Sequence, residues 1–352
     1  MTRVGVIGAS GFVGGELLRL VHQHPELELT YVGGRRTAGR RIHELHPGLR
    51  IATAPVVAEV SVDAVLKRCD VVALATPASV SAELAPPLVD TAVSVVDLSG
   101  AFRLRSPVAH HRWYPSVSRP DGLAERFVYG VPELVGDELA GADLISLPGC
   151  YATAVTLAVA PLVMAMDLRI ERLLVDGKSG SSGGGASLRT ADLHPYRDGT
   201  VVPYAPAGHR HGAEIAEFFA RRAPGRISRV SMSSYGAGGV RGLLASCYAF
   251  TDEPLATADL SRVYRRFYRG HPFVRVRRHG ETLIPVPNPK AVTGSNFCDV
   301  AAVHDAEGQR IVALGALDNM IKGAAGQAIQ AINIRCGHPL EAGLGMQPMV
   351  PA

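Results

Sequence analysis

The sequence predicts an α/β protein of two domains: a doubly wound domain with a mostly parallel sheet, then an α+β domain whose sheet is largely antiparallel. Three observations carry this. At the N-terminus a β-branched run, Arg3 to Ile7, meets a glycine-rich turn and then an amphipathic stretch, Glu16 to His24. Apolar strand-like runs then alternate with helical stretches as far as Leu147. Beyond Cys150 the β-like runs dominate. A chain of 352 residues also exceeds one typical core. The expected boundaries are residues 1–148 for a dinucleotide-binding domain, completed by residues 319–352, and residues 149–318 for a catalytic and substrate domain.

Composition narrows the class. Apolar residues make up 47% and charged residues 19%, with 38 Gly and 24 Pro, which reads as a soluble globular protein with many tight turns. No apolar run approaches the roughly 18 residues needed to span a bilayer, and the N-terminus shows no signal-peptide pattern, so a cytoplasmic protein without a membrane partner is expected. The five cysteines are scattered, without the paired spacings of zinc sites or disulfide frameworks. Free thiols and no metal are expected. A net charge of +4 suits anionic ligands or an acidic protein partner. It is too weak, and too little clustered with aromatics, to indicate nucleic acid.

The N-terminal turn is the first site. Gly8, Gly11 and Gly14 are spaced to bring bare backbone against a pyrophosphate, while the helix start offers its N–H groups. Gly8, Ser10, Gly11, Phe12, Val13 and Gly14 are therefore candidate cofactor contacts. The second strand, Leu27 to Val32, ends in Gly33-Gly34-Arg35-Arg36 where a cofactor without a 2′-phosphate would call for an acid. Arg35 and Arg36 suit the 2′-phosphate of NADP, with a solvated turn as the bland alternative. Further strands are expected at Asp70 to Ala75, Ser94 to Leu98 and Asp143 to Leu147, with a helical stretch at Ala82 to Val89.

Leu147-Pro148-Gly149-Cys150 places a lone thiol where an apolar run stops and the helical run Thr153 to Met166 begins. A helix start favours thiolate over thiol, so Cys150 is a candidate nucleophile. A small buried hydrophobe is the alternative. A strand, Arg172 to Asp176, leads into Gly177 to Gly185. That loop is read as a phosphate- or nicotinamide-contacting element rather than a linker. Ser179, Gly180 and Gly183 are its candidate cofactor contacts, and Lys178 and Ser182 its candidate substrate contacts. His209, His211 and Glu214 cluster before the next helix. They fit a general acid/base with an orienting carboxylate better than a metal pair, which lacks a third ligand at a recognisable spacing. The spacing does not choose between the two histidines.

The remainder alternates β-like runs, Arg229 to Ser233, Gly242 to Phe250 and Arg310 to Leu317, with a helix from Ala258 to Tyr268. Arg265, Arg266, Arg269, Arg275, Arg277 and Arg278 form the one dense basic stretch. A small-residue helix, Asp318 to Asn333, is expected to return to the first domain. There is no internal repeat.

Six motifs in order, Gly8-Ala9-Ser10-Gly11, Asp97 to Arg103, Tyr129 to Leu134, Pro148 to Tyr151, Gly208 to His211 and Asp318 to Gly323, resemble the N-acetyl-γ-glutamyl-phosphate reductase family, relatives of aspartate-semialdehyde dehydrogenase. The resemblance runs from about Val4 to Pro339. It implies a Rossmann domain joined to a catalytic α+β domain, NADPH as cofactor, and reductive dephosphorylation of an acyl phosphate to a semialdehyde through a thioester on Cys150. It also implies that Ser99, Asn319 and Lys322 lie near the cofactor and that Arg103 anchors an anion of the substrate. Two departures stand out: Thr76-Pro77-Ala78-Ser79 replaces the usual Leu-Pro-His-Gly, and Ala186 stands where many acetylglutamyl enzymes carry a basic residue.

The stretches His194 to Gly199, Tyr204 to Glu214 and Val292 to Phe297 are similar to a subgroup whose glutamyl or aminoadipyl phosphates are held through the amino group on a small acidic carrier protein. The expected substrate is thus carrier-linked, with Arg275, Arg277 and Arg278 steering the carrier and a homo-oligomer as the expected assembly. The free acetylated amino acid of arginine biosynthesis is the alternative. A non-catalytic NADP-binding sensor is the rival from another class, and a nucleophile beside a histidine pair argues against it.

Overall fold

In a computed structural model, which describes residues 1–51, 56–187, 190, 193–251, 257–278 and 280–351, the chain divides into two units. The first comprises residues 1–149 and 324–345, the second residues 150–323 and 346–352. The expected return of residues 319–352 is thus narrower at both ends. Asn319 is held by Ser182 and Gly242 of the second unit, and Met349 N donates to Thr293 O at 3.0 Å.

The first unit is built on a six-stranded sheet in the order β2-β1-β3-β4-β6-β5. Its strands are β1 (Thr2–Ile7), β2 (Leu27–Gly33), β3 (Val71–Leu74), β4 (Ser94–Asp97), β5 (Val128–Tyr129) and β6 (Leu144–Ser146), and every pairing is parallel. β3 and β4 are buried at every position, as continuous apolar runs require when helices lie on both faces. Its main helices are α1 (Phe12–His22), α2 (Val62–Arg68), α3 (Ala78–Leu84), α4 (Pro132–Ala140) and, returning from the far end of the chain, the helix Gly326–Cys336. Val65 of α2 and Ala82 and Leu84 of α3 join Val72, Leu74 and Val95 in one cluster. The C-terminal helix packs on α1 and α4, where Gln330 Nε2 donates to Glu133 Oε1 at 2.8 Å. Strand order reverses at β1, so the crevice beyond the ends of β1 and β3 is where a doubly wound sheet binds its ligand.

The second unit holds a seven-stranded sheet in the order β11-β12-β13-β10-β7-β9-β8. These strands are β7 (Ile170–Ser179), β8 (Val202–Ala205), β9 (Ile227–Gly236), β10 (Leu243–Phe250), β11 (Val274–Val276), β12 (Cys298–Asp305) and β13 (Arg310–Leu317). β11 with β12 and β7 with β9 are parallel, and the other pairings are antiparallel; the alternating burial of β7 and β10 shows one face of the sheet packed on the core. α5 (Cys150–Ala160) is apolar all round and buried from Tyr151 onward, the pattern of a core helix. It packs on β10, β12 and β13. α6 (Arg210–Arg222) is amphipathic and buries Ile215, Phe218 and Phe219. α7 (Thr257–Phe267) is fastened to α5 where the Tyr264 hydroxyl donates to Ala158 O. The C-terminal helix of the first unit is α8 (Gly326–Cys336). Among the described residues no helix is long and apolar enough to cross a membrane.

Candidate active site

Cys150 is the first residue of α5 and is half-buried, in a cavity of about 150 Å³ shared with Tyr151, Ser179, Gly180, His209 and His211. Two glycines make room for Cys150 and Tyr151. A Cβ on Gly323 would lie 2.6 Å from Cys150 Cβ, and one on Gly177 would lie 2.5 Å from the Tyr151 ring. The Tyr151 hydroxyl donates to Tyr235 O at 3.1 Å and accepts from Tyr204 at 3.4 Å. Burial pushes its pKa above the ordinary phenol range, so it remains a protonated donor at neutral pH.

The two histidines, equivalent by spacing, differ in the structure. His209 is the N-cap residue of α6, and its Nδ1 accepts from His211 N at 3.2 Å, satisfying one of the helix's unpaired donors. His211, one position into α6, is buried, with Nε2 3.8 Å from Glu214 Oε1. Glu214 is fully buried, three residues further along the same face. The imidazole rings meet edge to face at 4.5 Å. This arrangement places a buried imidazole in the wall of the cavity that holds the thiol, with the Glu214 carboxylate behind it.

In the first unit the glycine turn has the geometry of an anion cradle. Gly8 has φ +92°, and a Cβ there would collide with Ala75 O, while one on Gly14 would collide with Gly8 O. Only glycine permits both approaches. α1 starts behind Gly11 without a side-chain cap, leaving its first N–H groups free for an anion. Ser10 and Phe12 are exposed beside it, and Val13 is half-buried. Beyond β2, Arg35 Nη2 pairs with Glu83 at 2.6 Å, and Arg36 is exposed without an ion pair among the described residues. Ser99 turns inward, donating Oγ to Asp97 Oδ2 at 2.9 Å. Arg103 is buried and donates Nη2 to Leu98 O at 2.6 Å.

Two family models cover this chain: residues 3–142 match the semialdehyde dehydrogenase NAD-binding domain and residues 150–319 the semialdehyde dehydrogenase dimerisation domain. The LysW-L-2-aminoadipate/LysW-L-glutamate phosphate reductase of Sulfurisphaera tokodaii is 41% identical over 352 residues, spanning 100% of both chains. The protein of the same name from Saccharolobus solfataricus is 39% identical over 350 residues, 99% of each. The chain belongs to the semialdehyde dehydrogenase family. It is accordingly a nicotinamide-dependent oxidoreductase. Solved structures agree on the fold: aspartate semialdehyde dehydrogenase II of Vibrio cholerae superposes with TM-score 0.72 at 16% identity, covering 96% of this chain and 98% of that one. The Candida albicans enzyme with NADP gives 0.69 at 18%, covering 97% and 99%.

Within this dehydrogenase, Ser179, Gly180 and Gly183 line the thiol cavity, but Lys178 and Ser182 do not. β7 continues to Ser179, so strand alternation sends Lys178 to the opposite face, where Nζ pairs with Asp176 Oδ1 at 2.6 Å. Ser182 donates to Val240 O at 2.6 Å and accepts from Asn319 Nδ2 at 2.9 Å, while Asn319 Oδ1 accepts from Gly242 N at 2.8 Å. Ser182 and Asn319 therefore brace the loop instead of facing the cavity. Lys322 is fully buried, with Nζ 5.8 Å above the Phe273 ring. Arg275 and Arg277 both pair with the fully buried Asp299, at 2.6 and 3.0 Å, and are not free to steer a partner. Sequence reasoning assigned no role to Tyr151, Tyr204 or Arg197, although all three line the cavity and lie in quoted motifs. His46 was missed too. Its Nε2 lies 2.7 Å from Ala9 O and its ring packs against Gly15, and a lone histidine in a short turn carries no signal.

Proposed function

We propose that the chain reduces the ω-acyl phosphate of 2-aminoadipate or glutamate to the semialdehyde with NADPH, the substrate's amino group being held on a small acidic carrier protein. The observation that carries the reading is Cys150 at the start of α5, in one cavity with His211, whose imidazole lies 3.8 Å from the buried Glu214 carboxylate. The helix start favours thiolate. The thiolate attacks the acyl carbonyl, the carbon–oxygen bond to phosphate breaks, and a thioester remains on Cys150. NADPH, when bound, would supply the hydride that reduces this carbonyl. His211 holds and moves the proton at the substrate oxygen as the carbon–sulfur bond breaks and the aldehyde leaves, with Glu214 fixing the imidazole. His209 positions His211 through the cap of α6.

The residues present fit the cofactor. Gly8 and Gly14 let the backbone close into a bare turn ahead of α1 that suits a pyrophosphate, and Arg36, exposed without an ion pair among the described residues, would meet a 2′-phosphate. The carrier-linked substrate draws support from the relatives' names and from the surface. Arg262, Arg265 and Arg266 of α7 line one open cavity of about 600 Å³ together with Arg269 and Arg278. Such a concentration of one sign attracts an acidic partner. A homo-oligomer is expected from the half-buried sheet face that carries Leu174, Leu244, Tyr248, Val312 and Leu314. We place the enzyme in the cytoplasm.

The test is phosphate-dependent reduction of NADP with the semialdehyde on its carrier, against free N-acetylglutamate semialdehyde. The carrier-linked aldehyde should have the higher kcat/KM. Preference for the acetylated aldehyde would replace the carrier reading with the acetylglutamyl one, and NADPH binding without turnover of either would leave a sensor.

A further inference from the structure

We infer that His46 is a positioning residue for the cofactor, holding the glycine turn of the first unit in the form that accepts a pyrophosphate. A turn offered to an anion must present N–H groups and keep its carbonyl oxygens engaged elsewhere. Both carbonyls at the head of this turn are engaged. Gly8 O accepts from Gly11 N at 3.1 Å, and Ala9 O, on a fully buried residue, lies 2.7 Å from His46 Nε2. A carbonyl can only accept, so Nε2 carries the proton in this bond. Ala9 C=O and Ser10 N–H belong to one planar trans peptide and point in opposite directions. By drawing the carbonyl inward, His46 aims the N–H of the exposed Ser10 outward. That N–H and those of Phe12 and Val13 meet no acceptor among the described residues.

The imidazole has a built seat. A Cβ on Gly15 would lie 2.6–2.9 Å from three atoms of the ring, so α1 carries glycine where the ring rests. Gly15 lies outside the spacing of Gly8, Gly11 and Gly14 that the pyrophosphate explains. His46 reaches the turn from the segment that follows β2, and hydrogen bonds tie that segment back to the strand. Ala58 N donates to Val32 O at 2.9 Å, Gly34 N to Ala58 O at 3.0 Å and Val57 N to Arg40 O at 2.9 Å. His46 closes the helical turn Ile42–Leu45, its N donating to Ile42 O at 2.8 Å. One stretch of chain therefore bears both Arg36, the cation assigned to the 2′-phosphate, and the imidazole that sets the pyrophosphate turn. Without the ring, Ala9 O would be a buried acceptor with no partner, and the peptide would turn to find one, taking Ser10 N–H with it.

The inference rests on the NADPH part of the proposed function and on nothing in its substrate part, so the experiment is equilibrium binding of NADPH, 2′-phospho-ADP-ribose and adenosine 2′-monophosphate. His46→Ala should weaken the first two about 10-fold, the worth of one neutral hydrogen bond, and leave the third within about twofold. Arg36→Ala should weaken all three. His46→Gln, whose amide nitrogen stands in for Nε2, should recover most of the loss, whereas His46→Asn, whose amide stands in for Nδ1, should not. Gly15→Ala favours the helix yet displaces the ring, so it should weaken NADPH binding in wild type and cost nothing further in His46→Ala. NADPH bound within about twofold by His46→Ala overturns the assignment. So do equal recovery by Gln and Asn, additive losses from Gly15→Ala and His46→Ala, or an equal loss of adenosine 2′-monophosphate. A wild type that binds none of the three ligands overturns the cofactor reading and this inference together.

Discussion

His211 Nε2 lies 3.8 Å from Glu214 Oε1, with both side chains buried on one face of α6. A carboxylate so placed fixes the orientation of the imidazole and stabilises its protonated form. Glu214→Gln keeps the shape and removes the charge. It should lower kcat by roughly 100-fold, the scale of general acid–base catalysis, while leaving NADPH affinity and the KM for phosphate unchanged. An unaltered kcat would place the acid/base function elsewhere.

Arg35 and Arg36 are adjacent but unequal. Arg35 is already engaged by Glu83 in an exposed pair of small energetic worth, while Arg36 has no ion pair among the described residues. Arg36→Ala should raise KM for NADPH by at least about 10-fold, the loss of one charge-assisted hydrogen bond, and leave KM for NADH unchanged. Arg35→Ala should do less. Equal losses with both cofactors would make the pair a solvated turn.

Charge reversal of Arg265, Arg266 and Arg269 to Glu should lower kcat/KM for the carrier-linked substrate steeply at low ionic strength. The variant should show a weaker salt dependence than wild type, since screening acts over a Debye length of about 8 Å at physiological ionic strength. The free acetylated aldehyde should be barely affected. Stopped-flow rates across a salt series test this, and unchanged rates with the carrier substrate would show these arginines to be an ordinary solvated surface.

His110 titrates the stability of the first unit. Desolvation, then Arg119, pushes its pKa down to about 4, with His111 adding to the effect. The fold therefore favours neutral imidazole. Its contribution is complete above the unfolded value near 6.5 and is lost as pH falls towards 4, about 2–3 kcal/mol in all. His24, also lowered by desolvation, adds in the same direction. His110→Phe should flatten the pH dependence of urea unfolding between pH 6.5 and 4, and an unchanged slope would remove His110 from the account.

The Rossmann half was legible because parallel strands buried on both faces read as continuous apolar runs and Gly8, Gly11 and Gly14 punctuate them. Cys150 and the histidine cluster were legible from their places at helix starts. Lys178 misled because Gly177 to Gly185 looks like loop throughout, whereas β7 runs three residues into it before the chain turns. Arg275 and Arg277 looked like surface charge because their partner, Asp299, lies on a strand more than twenty residues away. Distance in sequence also hid Arg197, which meets the chain forty residues on, at Gly236 and at Ala237 O.

The central claim is a covalent intermediate on Cys150, and intact-mass spectrometry of the enzyme mixed with acyl phosphate in the absence of NADPH tests it most directly. The account predicts release of one equivalent of phosphate, an acyl adduct that maps to Cys150, and neither in Cys150→Ser. Phosphate release that waits for NADPH, or an adduct that persists in Cys150→Ser, would contradict it.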